Sequence, residues 1–222
     1  MAVHGRRMTV FTDRIDEALR AELSPMGFHL VRPRRWVSSS TMDATRRIFE
    51  FQALKGATYS ARWGFSLDFV PVMRNGHLRW KRTPKGAEFD LCIDPIDEFG
   101  DVLDWCSFVH LPGYMETGTN QIIHVVGNTT RNARRDFARV DSVPDLISVF
   151  RDRAQMTFRR FSLENYVQTH LAWGLGLVAI GQNAEGEAHI SLFCEQRGID
   201  RNDPLLRKAE TEAARYAATP PS

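Results

Sequence analysis

Cysteine is scarce in this chain. Cys92, Cys106 and Cys194 are widely spaced, odd in number and without a C-x-x-C pair. That argues against a disulfide framework and against a zinc site, and it fits reduced thiols in a cytoplasmic protein. Long apolar runs are missing too. No window reaches the roughly 18 consecutive apolar residues of a membrane span, and the richest run, 171–180, lies deep in the chain. The first ten residues carry two arginines with no apolar stretch behind them, so no secretory leader is expected. The sequon Asn128-Thr129-Thr130 is then without consequence. Lysine is nearly absent: Lys55, Lys81, Lys85 and Lys208 are the only four among 29 basic residues. A GC-rich bacterial genome produces such a skew without any physical need. Residues 86–130 contain no lysine or arginine at all. Catalytic signatures are missing as well: there is no G-x-S-x-G, no Walker loop and no G-x-G-x-x-G.

What is present describes a folded chain. Of the 222 residues, 43% are hydrophobic and 25% charged, which excludes wholesale disorder and allows a substantial core. The net charge of +2 is unevenly spread, basic in residues 1–85 and acidic in 86–130. These blocks either neutralise each other within the fold or form a dipole that steers a partner.

The strongest pattern is a period of two. Tyr59, Ala61, Trp63, Phe65, Leu67 and Phe69 alternate with Ser60, Arg62, Gly64, Ser66 and Asp68. A strand sends successive side chains to opposite faces, so one buried and one wet face are expected. Around it, Thr12 reads as the cap of a helix reaching Leu23, with Ile15, Ala18, Leu19 and Leu23 as its apolar stripe. Ser24, Pro25 and Gly27 end it. Residues 28–36 read as one strand made irregular by Pro33, and 47–54 as a second with Phe49 and Phe51 on one face. A turn at 55–57 leads into the long strand. Asn75-Gly76 marks a type I′ hairpin, Pro84-Lys85-Gly86 another turn, and Phe89, Leu91 and Ile93 a last strand.

Asp94-Pro95 is a helix start, with Ile96, Phe99, Leu103 and Cys106 as its inner face. Residues 111–120 read as loop, and 121–126 fit either a strand or a helical turn. Ser142 opens a helix whose stripe is Ile147, Phe150, Ala154, Phe158 and Phe161, and Ser162 can restart it. Residues 166–180 are apolar nearly all round, hence a buried helix. Helices at 186–197 and 204–217 follow, capped by Gly198 and Asp203, with a frayed tail. The segregated order gives an α+β class: an antiparallel β-meander sheet packed by an N-terminal helix, then a helical C-terminal half. Residues 1–222 read as a single domain, with sub-regions 11–94 and 95–218.

The opening helix ending in Gly27-Phe28, the run Phe51-Gln52-Ala53-Leu54-Lys55 leading through Tyr59 to Gly64-Phe65-Ser66-Leu67, and the helical tail resemble the bacterial family catalogued as domain of unknown function 4304. The similarity covers roughly residues 11–105 and loosely the tail. It implies an α+β fold and a bacterial origin, and it brings no catalytic residues.

Four groups are candidates for chemistry. Asp90, Asp94, Asp97 and Asp101, with Glu98 and Asp104 nearby, are spaced to share strand and helix faces, as a hard cation requires; solvated faces explain the same spacing. His110 and His124 flank a loop with Asp104 or Glu116 as acid–base partners, although no spacing rule selects them, and His170 reads as a core histidine. Gly174, Gly176 and Gly181 suit close helix packing better than a phosphate loop. Arginines stand beside aromatics in Arg32, Arg34, Arg35 and Trp36, in Arg46 and Arg47, and in Arg79, Trp80, Lys81 and Arg82; Arg131, Arg134, Arg135 and Arg139 form a further basic run. Such groups bind single-stranded nucleic acid by stacking and charge, or they form the outer face of a sheet. With no catalytic signature, the leading expectation is a non-catalytic protein-binding module of immunity or regulatory type, without a cofactor. A nucleic-acid binder using Arg34, Arg35, Trp36, Arg79, Trp80 and Arg82 is the first alternative. A metal-dependent hydrolase using Asp90, Asp94, Asp97 and Asp101 is the second.

Overall fold

The computed structural model describes residues 2–38, 44–53, 58–80, 83–93, 105–107, 114–155 and 169–218. The fold is α+β. Helix α1 (Ala2–Leu23) is followed by strands β1 (Phe28–Arg32), β2 (Arg35–Ser38), β3 (Thr45–Ala53), β4 (Thr58–Leu67), β5 (Val72–Arg74), β6 (His77–Arg79), β7 (Leu91–Ile93) and β8 (Trp105–Ser107). Helices α2 (Tyr114–Phe137), α3 (Val143–Gln155), α4 (Thr169–Ala179), α5 (Asn183–Arg197) and α6 (Pro204–Ala218) follow. One sheet has the order β1-β2-β3-β4-β7, with β8 also paired to β4, and β5-β6 is a separate two-stranded sheet. β1 to β4 thus run as the expected meander. No helix among the described residues is long and apolar enough to cross a membrane.

The chain divides into two compact units, neither of them continuous in sequence. The first is Met1–Ser40, Arg47–Gly64 and Cys92–Ala138; the second is Thr41–Arg46, Phe65–Leu91 and Arg139–Ser222.

In the first unit, Ile15, Leu19 and Leu23 are fully buried along α1, as their spacing requires. The helix begins at Ala2, so Thr12 lies inside it and is not its cap; no proline interrupts residues 2–23. Gly27 ends the run with φ +77 and donates its N–H to the Ser24 carbonyl. The single strand expected over 28–36 is a hairpin, broken at Pro33-Arg34, where Arg34 takes φ +63. β1 and β2 pair antiparallel with a register shift between Leu30 and Arg32. Trp63 stacks on Phe49 at 6.1 Å and donates its indole N–H to Asp136 Oδ2 at 2.9 Å. Phe28 meets Phe137 at 5.6 Å.

Helix α2 corrects two expectations, because it takes in part of the segment read as loop and the undecided 121–126. Its buried positions Ile122, Val125, Val126, Ala133 and Phe137 fall at helical spacing. Thr129 and Thr130 hide the pattern in the sequence. Both are buried, and their hydroxyls donate to the Val125 and Val126 carbonyls at 2.6 and 2.7 Å. Cys106 lies in β8 and not on a helix face.

The alternate face of β4 is not wet throughout. Ser66 is buried, Arg62 reaches Glu50, and Asp68 closes a two-bond pair with Arg46 at 2.9 and 3.0 Å. In the second unit, Asn75 and Gly76 both have positive φ, the type I′ turn that this residue pair favours. Ser142 and Asp145 cap α3 reciprocally, and Asp203 Oδ1 accepts the Leu205 N–H at 2.8 Å to cap α6. Gly198, at φ +62, ends α5. Arg201 joins Glu187 on α5 to Glu210 on α6 through short ion pairs, and these hold the Glu187 carboxyl below its usual range.

Helix α4 is buried as expected, and its glycines serve packing. A Cβ on Gly174 would lie 2.7 Å from Ile190 Cγ1 and 2.8 Å from the Gly186 carbonyl oxygen; one on Gly176 would lie 2.7 Å from Ile147 Cδ1. The turn at 55–57, the stripe residues Ile96, Phe99, Leu103, Phe158 and Phe161, the restart at Ser162 and the C-terminal tail lie outside the described residues.

Two opposite substitutions test this packing. Gly174→Ala should destabilise by about 1–3 kcal/mol, because the new methyl meets backbone. Gly127→Ala, in the interior of α2 with nothing within 4 Å of the added atom, should stabilise by up to about 1 kcal/mol. Urea midpoints of the two variants check both signs.

Candidate functional site

The β1–β2 turn is the most heavily constrained polar feature of the first unit. Asp16 is buried on α1, between Ile15 and Leu19 of the apolar stripe. Its carboxylate accepts the Arg34 backbone N–H at both oxygens, at 2.9 and 3.1 Å, and the Trp36 indole N–H at 3.2 Å. Burial pushes this carboxyl above its usual range, against the pull of the Arg34 and Trp36 hydrogen bonds. The same bonds hold Arg34 in the left-handed region, which costs a non-glycine residue roughly 1 kcal/mol or more.

Beside the turn, Arg35 stands opposite Glu50 in the β2–β3 register and is buried, its Nη1 donating to Glu50 Oε2 at 2.8 Å. Arg62 and Arg32 approach the same oxygen at 3.4 and 3.7 Å. Arg32 remains 52% exposed. The Arg34 guanidinium lies 4.8 Å from the centre of the Tyr59 ring, and its Nε is buried with no acceptor among the described residues. Arginine stays protonated and offers only donors, so Arg32 and Arg34 are equipped to bind anions and not to move protons.

Sequence reasoning singled out Arg34, Arg35 and Trp36, and the structure brings them together with different roles. Trp36 is buried and its N–H is occupied, so it offers no stacking surface for a base. Arg35 belongs to the ion-paired interior. Arg79 is exposed at the end of β6, and Trp80 is half-buried with the Lys208 ammonium 5.1 Å from its ring centre. β6 belongs to the separate two-stranded sheet, so the two arginine–aromatic groups are not on adjacent strands. Lys81 and Arg82 lie outside the described residues. Arg46 is paired with Asp68, and Arg47 donates to the Phe137 carbonyl at 3.4 Å. In the basic run, Arg134 is held by Glu22, while Arg135 and Arg139 lie 3.7 and 3.6 Å from Asp136 and Asp152.

Asp90 is buried and accepts the Leu67 N–H at 2.7 Å, a bond that ties β4 to the chain entering β7. Asp94, Asp97, Glu98, Asp101, Asp104 and His110 lie outside the described residues. Among the described residues no three His, Cys, Asp or Glu side chains are grouped to hold a metal ion. His124 is exposed on α2, 3.0 Å from Asn128. Asp16, Glu50, Arg62 and Tyr59 were not anticipated as parts of a site. The available signal was an acid set inside an apolar stripe and another set between Phe49 and Phe51.

Comparison with known proteins finds no match to any family model, curated protein or solved structure. The resemblance noted above therefore rests on its own motifs.

Removing the Asp16 carboxylate should loosen the whole turn. Asp16→Ala leaves two N–H donors without their acceptor and is expected to cost about 2 kcal/mol by urea denaturation. The raised carboxyl value also fixes a sign. The folded chain binds this proton more tightly than the unfolded chain, whose aspartate titrates near ~3.9. This group's contribution is thus full below that value and is lost as pH rises through the folded value. Asp16→Asn should remove that slope from a stability-versus-pH profile.

Proposed function

We propose that this chain is a non-catalytic binding module of the bacterial cytoplasm, and that it docks an acidic segment of a partner protein on the β1–β2 turn. Arg32 and Arg34 are the contact residues. The observation that carries the reading is Arg34 itself: a non-glycine residue locked at positive φ, with its guanidinium placed over Tyr59 and a buried Nε that lacks an acceptor among the described residues. Backbone strain and unsatisfied donors concentrate where a protein meets a ligand. Arg34 is half-buried, so a carboxylate reaching the accessible part of its side chain would meet a charge already fixed in place, and Arg32 beside it adds a steering charge at the rim. The buried Trp36 favours a peptide over a nucleic acid, since the indole face needed for base stacking is inside the fold. The bacterial and cytoplasmic assignments draw on the resemblance and on the sparse, separated cysteines.

The test is fluorescence anisotropy with a labelled oligoglutamate peptide and a single-stranded oligonucleotide of matched charge, each at low and high salt. The peptide should bind in a salt-sensitive way. Arg34→Ala should weaken it about tenfold, equivalent to ~1.4 kcal/mol, and Arg79→Ala should leave it unchanged. Arg34→Gly separates function from folding. It relieves the left-handed strain while losing the Tyr59 contact, so stability should stay within about 1 kcal/mol while binding weakens about tenfold, as in Arg34→Ala. Oligonucleotide binding without peptide binding would favour the nucleic-acid reading, and binding of neither would remove the turn as a site.

A further inference from the structure

We infer that His170 and His189 form a two-nitrogen metal site that accepts copper(II) or nickel(II) in preference to zinc. The site lies in the second unit and does not depend on the β1–β2 turn. His170 is on α4 and His189 on α5. The two helices are joined by the short turn at residues 180–182, and the glycines at 174 and 186 set how closely they pack: a Cβ on Gly174 would lie 2.8 Å from the Gly186 carbonyl oxygen and 3.1 Å from His189 Cβ. At that spacing the imidazoles meet Nδ1 to Nδ1 at 3.0 Å. A row of rings holds them: Phe150 stacks on Trp173 at 5.7 Å and Trp173 on His189 at 4.3 Å, and His170 meets His189 end to end with 5.2 Å between ring centres.

Two imidazole nitrogens in contact share one proton, donated by one ring to the lone pair of the other. The 5.2 Å between ring centres sets the two Nδ1 lone pairs nearly head-on; if the donor ring carries its proton on Nε2 instead, a cation can take the proton's place once each ring turns to bring its lone pair off the N–N line. The spacing is near that of a cis pair of ligands, and the affinity order selects the cation. With metal–nitrogen bonds of ~2.05 Å, a 3.0 Å separation gives an N–metal–N angle of about 94°. That is the cis angle of a square-planar or tetragonal ion, the geometry of copper(II) and nickel(II). Copper also stands above nickel and zinc in intrinsic affinity for such ligands. The remaining positions would be filled by water, since no third His, Cys, Asp or Glu ligand is grouped there among the described residues. Glu185, one turn before His189, is held by Arg151 at 2.8 Å. Both imidazoles are half-buried, so neither is sealed in the core.

Copper(II) added to the full chain at neutral pH provides the test. The Trp173 ring against His189 serves as reporter, because a bound copper ion quenches an adjacent indole. The expected result is saturable quenching that disappears in Trp173→Phe. The double variant His170→Gln/His189→Gln should retain one equivalent of copper fewer than the natural chain, a difference in which binding by other histidines cancels. Zinc should bind at least about tenfold more weakly than copper. An unchanged copper stoichiometry in the double variant would overturn the site, and zinc binding as tight as copper would overturn the preference. Should the double variant fold poorly, the intact chain still decides: the ring proton signals of His170 and His189 should broaden away on copper addition. Their survival at saturation would refute the assignment.

Discussion

A buried carboxylate with two donors around it organises the first unit. Asp16 reaches from α1 to the backbone of Arg34 and the indole of Trp36, residues 18 and 20 positions away. It thereby holds the helix against the β1–β2 hairpin and determines the conformation of the turn. Burying that charge is unfavourable in itself, as its raised titration shows, and the hydrogen bonds are what make it tolerable. The Glu50 cluster extends the same logic across the sheet. One carboxylate oxygen meets Arg35, Arg62 and Arg32 in order of increasing distance and, at the two ends, of increasing exposure. Polar residues are therefore interior materials in this unit, and the strands that carry them depend on pairing as much as on apolar packing.

The second unit is held differently. Its helices meet through missing side chains: Gly174 and Gly186 admit each other's backbone, and Gly176 receives Ile147. Close-packed interiors respond to single methyl groups, so these positions tolerate little change. The arginine bridge from Arg201 to α5 and α6 is partly exposed and contributes less than its short contacts suggest, because solvent screens it.

Local signals were legible where one or two residues suffice. Asn75-Gly76, the Ser142 and Asp145 cap and Asp203 each state their own geometry, and each took its expected form in the fold; the alternation from Tyr59 gave the strand and its buried face, but the strand ends at Leu67. Helix α2 was hidden because Ile122, Val125, Val126, Thr129 and Thr130 are β-branched and equally at home in strands. The second face of β4 was misread as solvent-facing because its partners, Glu50 and Arg46, come from another strand. Of the turn site, the arginines were visible as residues, but their division into buried Arg35 and available Arg32 was not. That division depends on register. The histidine pair was invisible for a related reason: 19 residues separate its members, and only the glycine-set helix spacing joins them.

The interleaved units have a consequence for synthesis on the ribosome. The first unit has all its segments once residue 138 has emerged, and it can fold while the rest of the chain is still being made. The second unit begins at residue 41 yet extends to residue 222, so its early pieces, Thr41–Arg46 and Phe65–Leu91, must wait for partners made after residue 138. Those early pieces include the apolar residues Phe69, Val70, Val72 and Leu78, all buried in the finished fold. During that interval they are exposed strand-forming sequence, the kind of surface that chaperones bind and that aggregation exploits. Slowing translation after residue 138 would lengthen the exposure, and the yield of native protein would then depend on elongation rate as well as on stability.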